Sequence, residues 1–232
     1  MFILRQLLEE STYRPSLVRR FNINRADGGK RLLSALTLKD KFAQRLVLQA
    51  IEPLCEQEFH PASFGYRPGR NRYQARDAAN SYIRSGLHWV VDADIHSFFD
   101  HIPHKPLLKT IANTVRDKKI VTLNRAWLDI NATPRFMLQS KKGIPQGGIL
   151  SPLWCNLYLN QLDQCFANQN IPFVRYADDF LMFCNEKAQA EMLLEQVSGK
   201  LLQLDLKLNP NKTRIAHSKK AISYLGLTLC EF

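Results

Sequence analysis

The chain has 232 residues, 45% hydrophobic and 23% charged, with 32 Lys+Arg against 21 Asp+Glu and a net charge of +11. That length and apolar fraction suit one compact unit or two lobes sharing a core, and they exclude disordered, collagenous and coiled-coil chains. Five scattered cysteines with no C-x-x-C pair argue against a disulfide framework or a thiolate zinc site. The N-terminal apolar run is too short for a signal peptide, and no run of about 18 apolar residues offers a membrane span. A soluble protein of a reducing compartment is the expectation.

The positive charge is concentrated early. Nine basic residues from Arg14 to Arg45 face only Asp27 and Asp40, and Arg67, Arg70, Arg72 and Arg76 follow before Asp77. A polyanion such as nucleic acid is a natural partner, because each neutralised phosphate releases condensed counterions, although basic surfaces also serve solubility.

In chain order, residues 20–35 predict a hairpin turning at Asp27-Gly28-Gly29, where glycine supplies positive φ. Thr37 caps a helix, with Asp40 three residues on. Its apolar face is read as two i, i+4 rows, Phe42, Leu46, Ala50, Leu54 and Ala43, Val47, Ile51. A second helix spans Tyr73 to Ser85 and closes at Gly86. Leu87 to Ala93 is apolar and β-branched, which predicts a buried strand.

Ser151-Pro152 predicts an N-cap and first helical position, with helix from Leu153 to Phe166. Residues 171–184 predict two strands around a turn at Ala177-Asp178-Asp179. A helix from Glu186 to Asp205 follows, then short strands near Thr213–Ala216 and Ser223–Leu229. Hairpins outnumber βαβ units, so the class is α+β, an antiparallel sheet backed by helices. No linker or repeat marks a domain boundary. Trp89, Trp127 and Trp154 read as core.

Two features carry chemistry. Asp94 ends the buried strand, and Asp178-Asp179 sits at the tip of an apolar hairpin flanked by Phe173, Val174, Phe180, Met182 and Phe183. An Asp-Asp doublet alone reads as a solvated turn, but carboxylates beside a dry core need a compensating positive charge. Two Mg²⁺ ions would supply it, since magnesium takes one or two carboxylates plus substrate phosphates. The second feature, Gly143 to Pro152, lets backbone approach a flat ligand and then offers a helix N-terminus, or is an ordinary turn before a capped helix. His101 and His104 beside Asp100 fall short of a zinc site and read as loop. Asp92 shares a strand face with Asp94, which would let it extend the acidic cluster, but it is read as structural, paired with a basic neighbour.

Six segments, in order, resemble reverse transcriptases. Tyr176-Ala177-Asp178-Asp179 resembles their YADD box, Asp94 to Asp100 their first palm motif, and Gln146-Gly147-Gly148-Ile149-Leu150-Ser151-Pro152 the QGxxxSP form of group II intron-like bacterial enzymes. Ser63 to Arg70 is similar to their SYGFRPGR fingers element. Leu208 to Thr213 and Tyr224-Leu225-Gly226 resemble the closing palm motifs. Ala35-Leu36-Thr37 departs from the usual Ile-Pro-Thr.

The resemblance implies a right-hand polymerase with fingers and palm, residues 1–86 being mainly fingers and 87–232 mainly palm, with residues near 105–145 open to joining the fingers. The chain stops soon after the last motif, so the thumb is expected to be absent. Asp94, Asp178 and Asp179 would bind two Mg²⁺ ions, with Mn²⁺ as a substitute and the Ile95 carbonyl as a further ligand. Lys212 would donate a proton to departing pyrophosphate.

Arg25, Lys30, Arg31, Phe98, Phe99, Gln146 and Gly147 would contact the incoming nucleotide, Phe99 clashing with a ribose 2′-hydroxyl. Arg67, Arg70, Arg72 and Tyr176 would contact nucleic acid. The implied activity is RNA-directed DNA polymerisation on an RNA template from a DNA or RNA primer with dNTPs. The implied setting is the bacterial cytoplasm, within a CRISPR adaptation or intron-type machine, with a protein partner or fused domain supplying the thumb. Two alternatives stay open: a catalytically silent palm-fold nucleic-acid-binding module, and a palm-fold nucleotide cyclase.

Overall fold

Apolar periodicity decides most elements of the computed structural model, which describes residues 12–24, 30–131 and 141–229, with Lys30, Arg31 and Asn131 described by backbone alone. Packing divides the chain into two compact units, residues 1–58 with 99–158 and residues 59–98 with 159–232.

In the first unit, β1 (Arg19–Asn24) and β2 (Lys30–Ala35) pair antiparallel from Arg19↔Ala35 to Asn24↔Lys30. The expected turn at 27–29 lies outside the described residues. Every residue of β1 is exposed. Helix α1 (Leu38–Glu56) starts where Thr37 accepts the Asp40 N–H, a cap contributing about 1 kcal/mol. The Asp40 carboxylate accepts the Tyr13 and Thr37 hydroxyls, and Trp127 Nε1 donates to Tyr13 at 3.2 Å, which ties the segment before β1 to the foot of the helix.

Only one of the two rows expected on α1 is core. Ala43, Val47 and Ile51 are buried, whereas Phe42, Leu46 and Leu54 are 48%, 40% and 44% exposed. Adjacent rows lie about 100° apart on a helix, and the row of Ala43 is the one that meets the core.

Two helices of this unit escaped the sequence reading. Helix α4 (His104–Val115), which follows the short α3 (Phe98–His101), has no side-chain N-cap at Pro103 and ends at Arg116 in the left-handed region, φ 54°, so neither end carries the usual residue signal. Helix α5 (Lys118–Asn131) starts where the Asp117 carboxylate accepts the Lys119 and Ile120 N–H groups. His101 and His104 therefore close and open helices rather than lying in a loop, and the buried His104 ring contacts the Gly143 carbonyl at 2.7 Å. Trp127 and Trp154 are core, and Trp154 Nε1 donates to Asn124 at 2.7 Å. Helix α6 (Ser151–Asn168) begins as expected, but the Ser151 hydroxyl donates back to the Pro145 carbonyl at 2.6 Å, so it closes the preceding loop.

The second unit is built on a four-stranded antiparallel sheet, order β4 (Phe173–Tyr176), β5 (Asp179–Cys184), β3 (Trp89–Asp94), β6 (Arg214–His217). Along β3 Val90, Val91 and Ala93 are buried, and β5 is buried from Phe180 to Cys184, so these strands are covered on both faces. Helix α2 (Arg72–Arg84) carries a reciprocal capping box between Asn71 and Gln74 and packs Ala75, Ala79 and Ile83 against Val90, Val174, Leu181 and Phe183. Helix α7 (Lys187–Gln203) follows β5, and β7 (Ile222–Tyr224) pairs with β8 (Leu227–Leu229) across Leu225-Gly226. Trp89 is half-buried, edge-on to His217. Among the described residues no helix is long and apolar enough to cross a membrane.

Candidate active site

Register brings the acids together. Asp94, last in β3, lies directly opposite Asp179, first in β5, and opposed residues of an antiparallel pair point to one face with Cβ atoms about 4.5–5.5 Å apart. Asp178 precedes Asp179 in the turn, where Ala177 adopts φ 58°. Asp94, Asp178 and Asp179 are all partly exposed, at the mouth of the sheet rather than behind its core.

Burial, then the charges of Asp92, Asp94 and Asp178, push the Asp179 carboxyl up to about 7, and Lys212 opposes them. A carboxyl raised by burial and by neighbouring like charges favours a compensating cation. Among the described residues no group of three His, Cys, Asp or Glu side chains is placed to hold a metal ion by itself. An open pair of carboxylates whose remaining ligands come from a substrate's phosphates fits magnesium's ordinary habit, and so the residues present fit that ion.

Asp94 is held from below. Asn209 donates its backbone N–H to the Asp94 carbonyl at 2.8 Å and its Nδ2 to the Asp94 carboxylate at 3.0 Å, and Lys212 Nζ lies 3.3 Å from the other carboxylate oxygen. Asn209 in turn accepts the Lys212 and Thr213 N–H groups on its carbonyl, so one turn carries both Asp94's amide partner and its cation. Asp92 pairs with Arg214 at 2.9 Å, the basic neighbour expected for it. Burial nonetheless raises its carboxyl, with Arg214 opposing. Ile95 is buried and bridges to Leu208. Asn209 and Arg214 carried no role in the sequence reading. Asn209 stands inside a quoted motif, which was the available signal, whereas Arg214 is identified only by strand register.

The other expected site residues fall into separate settings. In the second unit Phe98 is 1% exposed and therefore core, and Tyr176 packs against the cluster containing Tyr224. Arg67 is buried, donating to the His60 and Ser63 carbonyls at 2.8 Å. Arg70 donates to the Pro61 carbonyl and covers the Phe64 ring, and Arg72 covers Tyr73.

In the first unit Phe99 is half-buried, its carbonyl accepting the Ile144 N–H at 2.7 Å. The Gln146 carbonyl accepts the Ser34 N–H at 2.8 Å, while its Oε1 is enclosed without a hydrogen-bond partner. Gly147 has φ 104°, and a Cβ there would stand 2.8 Å from the Ser34 carbonyl oxygen, so glycine is obligatory at this contact. A cavity of about 220 Å³ lies here, walled by Arg20, Ser34, Asp100, Lys142 and Gln146. Arg25 lies outside the described residues, and Lys30 and Arg31 are placed in β2 by backbone only.

The family model described as reverse transcriptase (RNA-dependent DNA polymerase) matches residues 23–229. The chain belongs to the reverse transcriptase family. It is 31% identical to Protein YkfC of Escherichia coli over 97% of this chain and 69% of that one. It is also 31% identical to the group II intron-encoded protein LtrA of Lactococcus lactis over 86% of this chain but only 33% of LtrA. At 15% identity, the telomerase of Candida albicans, solved in complex with a TWJ fragment of telomeric RNA, superposes with a TM-score of 0.70 over 93% of this chain and 44% of that one, which shows a shared fold. The mixed fold with antiparallel sheets is thus the reverse transcriptase right hand, of the group II intron-like kind.

Proposed function

We propose that this chain carries the polymerase centre of an RNA-directed DNA polymerase: a primer 3′-hydroxyl attacks the α-phosphorus of a dNTP, the new O3′–P bond forms, the bond to the bridging oxygen breaks, and pyrophosphate leaves. The observation that carries this reading is the registered Asp94–Asp179 pair with Asp178 beside it, where burial and then the neighbouring acids push the Asp179 carboxyl up to about 7. Two bound Mg²⁺ ions would supply Lewis-acid stabilisation of the attacking and leaving oxygens. Asp94, Asp178 and Asp179 would hold them, with the Ile95 carbonyl as a further ligand.

The remaining roles follow the chain's own groups. Asn209 keeps the Asp94 carboxylate oriented. Lys212, mostly exposed on its tether beside Asp94, is free to turn toward departing pyrophosphate and give it a proton. Arg25, Lys30 and Arg31 would neutralise the triphosphate, Phe99 would exclude a ribose, and Gln146 and Gly147 would meet the base pair. Arg70, Arg72 and Tyr176 would lie along nucleic acid. Phe98 and Arg67 would serve by supporting their segments. Residues 1–86 would be mainly fingers and 87–232 mainly palm.

The intron-encoded relative supports an intron-type setting, and this chain spans 33% of that protein. Primer extension on poly(rA)/oligo(dT) with Mg²⁺ and dTTP tests the reading. Wild type should incorporate dTMP and Asp178→Ala should not. Absence of incorporation by both, with duplex binding retained, overturns it in favour of a silent binding module.

A further inference from the structure

Ala177 is a non-glycine residue held at φ 58° in the turn that presents Asp178 and Asp179, a conformation that persists only where its surroundings over-determine it. Two independent devices converge on that residue. The first is a buried cation. Arg175 and Asp163, on β4 and α6, both have fully buried side chains and form a two-pronged pair, with Arg175 Nε donating to Asp163 Oδ1 at 2.7 Å and Nη2 to Oδ2. The remaining nitrogen, Nη1, donates to the Ala177 carbonyl at 2.9 Å. A buried ion pair is weak evidence of stabilisation for its own sake, because desolvation offsets the attraction; what a planar fork adds here is fixed geometry at a third acceptor.

The second device is a close approach of backbone. The Arg175 N–H donates to the Ala62 carbonyl at 2.9 Å and its carbonyl accepts the Phe64 N–H at 2.8 Å, so residues 62–64 run as a short parallel partner of β4. The next residue, Gly65, then lies directly against the turn: a Cβ built on it would stand 2.3 Å from the Ala177 nitrogen and 2.9 Å from the Tyr176 carbonyl carbon. Both atoms are backbone and cannot swing aside. Arg67, bonded to the Ser63 and His60 carbonyls, holds this segment in place.

We propose that Arg175, locked by Asp163, and Gly65 are positioning residues for the catalytic turn: together they clamp Ala177 from two sides and so fix where the Asp178 and Asp179 carboxylates stand. This rests on the polymerase reading only for its consequence, since the clamp itself is a property of the free protein.

Two variants test it. Arg175→Lys keeps a charge opposite Asp163 but loses the fork, and Gly65→Ala leaves the ion pair intact and pushes on the turn. Gly199→Ala, where an added methyl meets open space on α7, is the control. In the free protein, hydrogen exchange of a peptide spanning residues 173–184 should accelerate in both variants and not in the control. In primer extension kcat should fall by about 100-fold, the scale of an ångström misplacement, with KM for dTTP and duplex affinity within about two-fold of wild type.

Unchanged exchange and unchanged kcat in both folded variants overturn the proposal. Global unfolding of both, read by circular dichroism, also overturns it, because the residues would then serve the fold and not the turn. If Arg175→Lys alone unfolds, Gly65→Ala decides. Accelerated exchange in a protein whose wild type never incorporates dTMP upholds the clamp and removes the polymerase reading instead.

Discussion

Two of the hairpins, β1–β2 and β4–β5, are of opposite character. In β1–β2 all six residues of the first strand face solvent, while in β4–β5 every residue from Phe180 to Cys184 is buried. Both are antiparallel and in register; the second is also held by a sheet neighbour at β3, and Arg175 donates to the Ala177 carbonyl in its turn. A buried hairpin holds a carboxylate in one place. An exposed one can carry cationic side chains that order on a ligand. Chemistry that needs fixed metal-binding oxygens suits the buried kind, and recognition of a mobile triphosphate suits the exposed kind.

The contrast breaks most sharply at the acidic turn. Asp178→Ala or Asp179→Asn should lower incorporation by at least about 10³-fold, the scale on which removing a preorganised electrostatic group acts, while circular dichroism stays native. Persistence of more than a tenth of the wild-type rate would remove these residues from the centre.

Packing supplies the next effect. Phe180→Ala, at a fully buried position, should destabilise by about 3–5 kcal/mol in urea titration, and Phe21→Ala, 44% exposed on β1, by less than about 0.5 kcal/mol. Equal losses would mean that the β1–β2 hairpin is covered in solution. On function the order should reverse within the exposed hairpin: Lys30→Ala with Arg31→Ala should raise KM for dTTP by about ten-fold, more at low salt than at high, with stability unchanged. Thr37→Ala, which removes the α1 cap, should cost about 1 kcal/mol and leave KM alone.

A further effect concerns pH. The folded Asp179 carboxyl sits near 7 against an ordinary value of 3.8, so the folded state binds the extra proton more tightly than the unfolded one. Its contribution is fully present below about pH 4 and is lost as pH rises toward about 7, so in chelator the wild type should lose more stability than Asp179→Asn across that window. Millimolar Mg²⁺ should narrow the difference above pH 7. Parallel curves for the two proteins would show that Asp179 is not crowded by its neighbours.

Much of the centre was legible before any coordinates. Asp94 ends a β-branched run and the Asp-Asp doublet interrupts an aromatic one, and strand composition with the turn preference of aspartate placed each at a strand end. The helix at 104–115 was not legible, because it starts without a capping side chain and ends on a left-handed arginine, whereas for the helix at 118–131 the Asp117 cap was the available signal. The row of Phe42, Leu46 and Leu54 misled for a different reason: it has the helical period of a core face but meets solvent. Periodicity reports which residues could be buried together and says nothing of whether a neighbour arrives to cover them.

The amino-acid order by itself determined the elements that carry the acids, the α+β class and the family, because strand alternation, caps and short motifs are local properties of the chain. Only the tertiary structure decided that Asn209 and Lys212 grip Asp94 across 115 and 118 residues, and that Gly65 must be bare because Ala177 stands against it. Those facts depend on register and close approach between distant segments, which the packing of the whole sheet sets and no window of sequence contains.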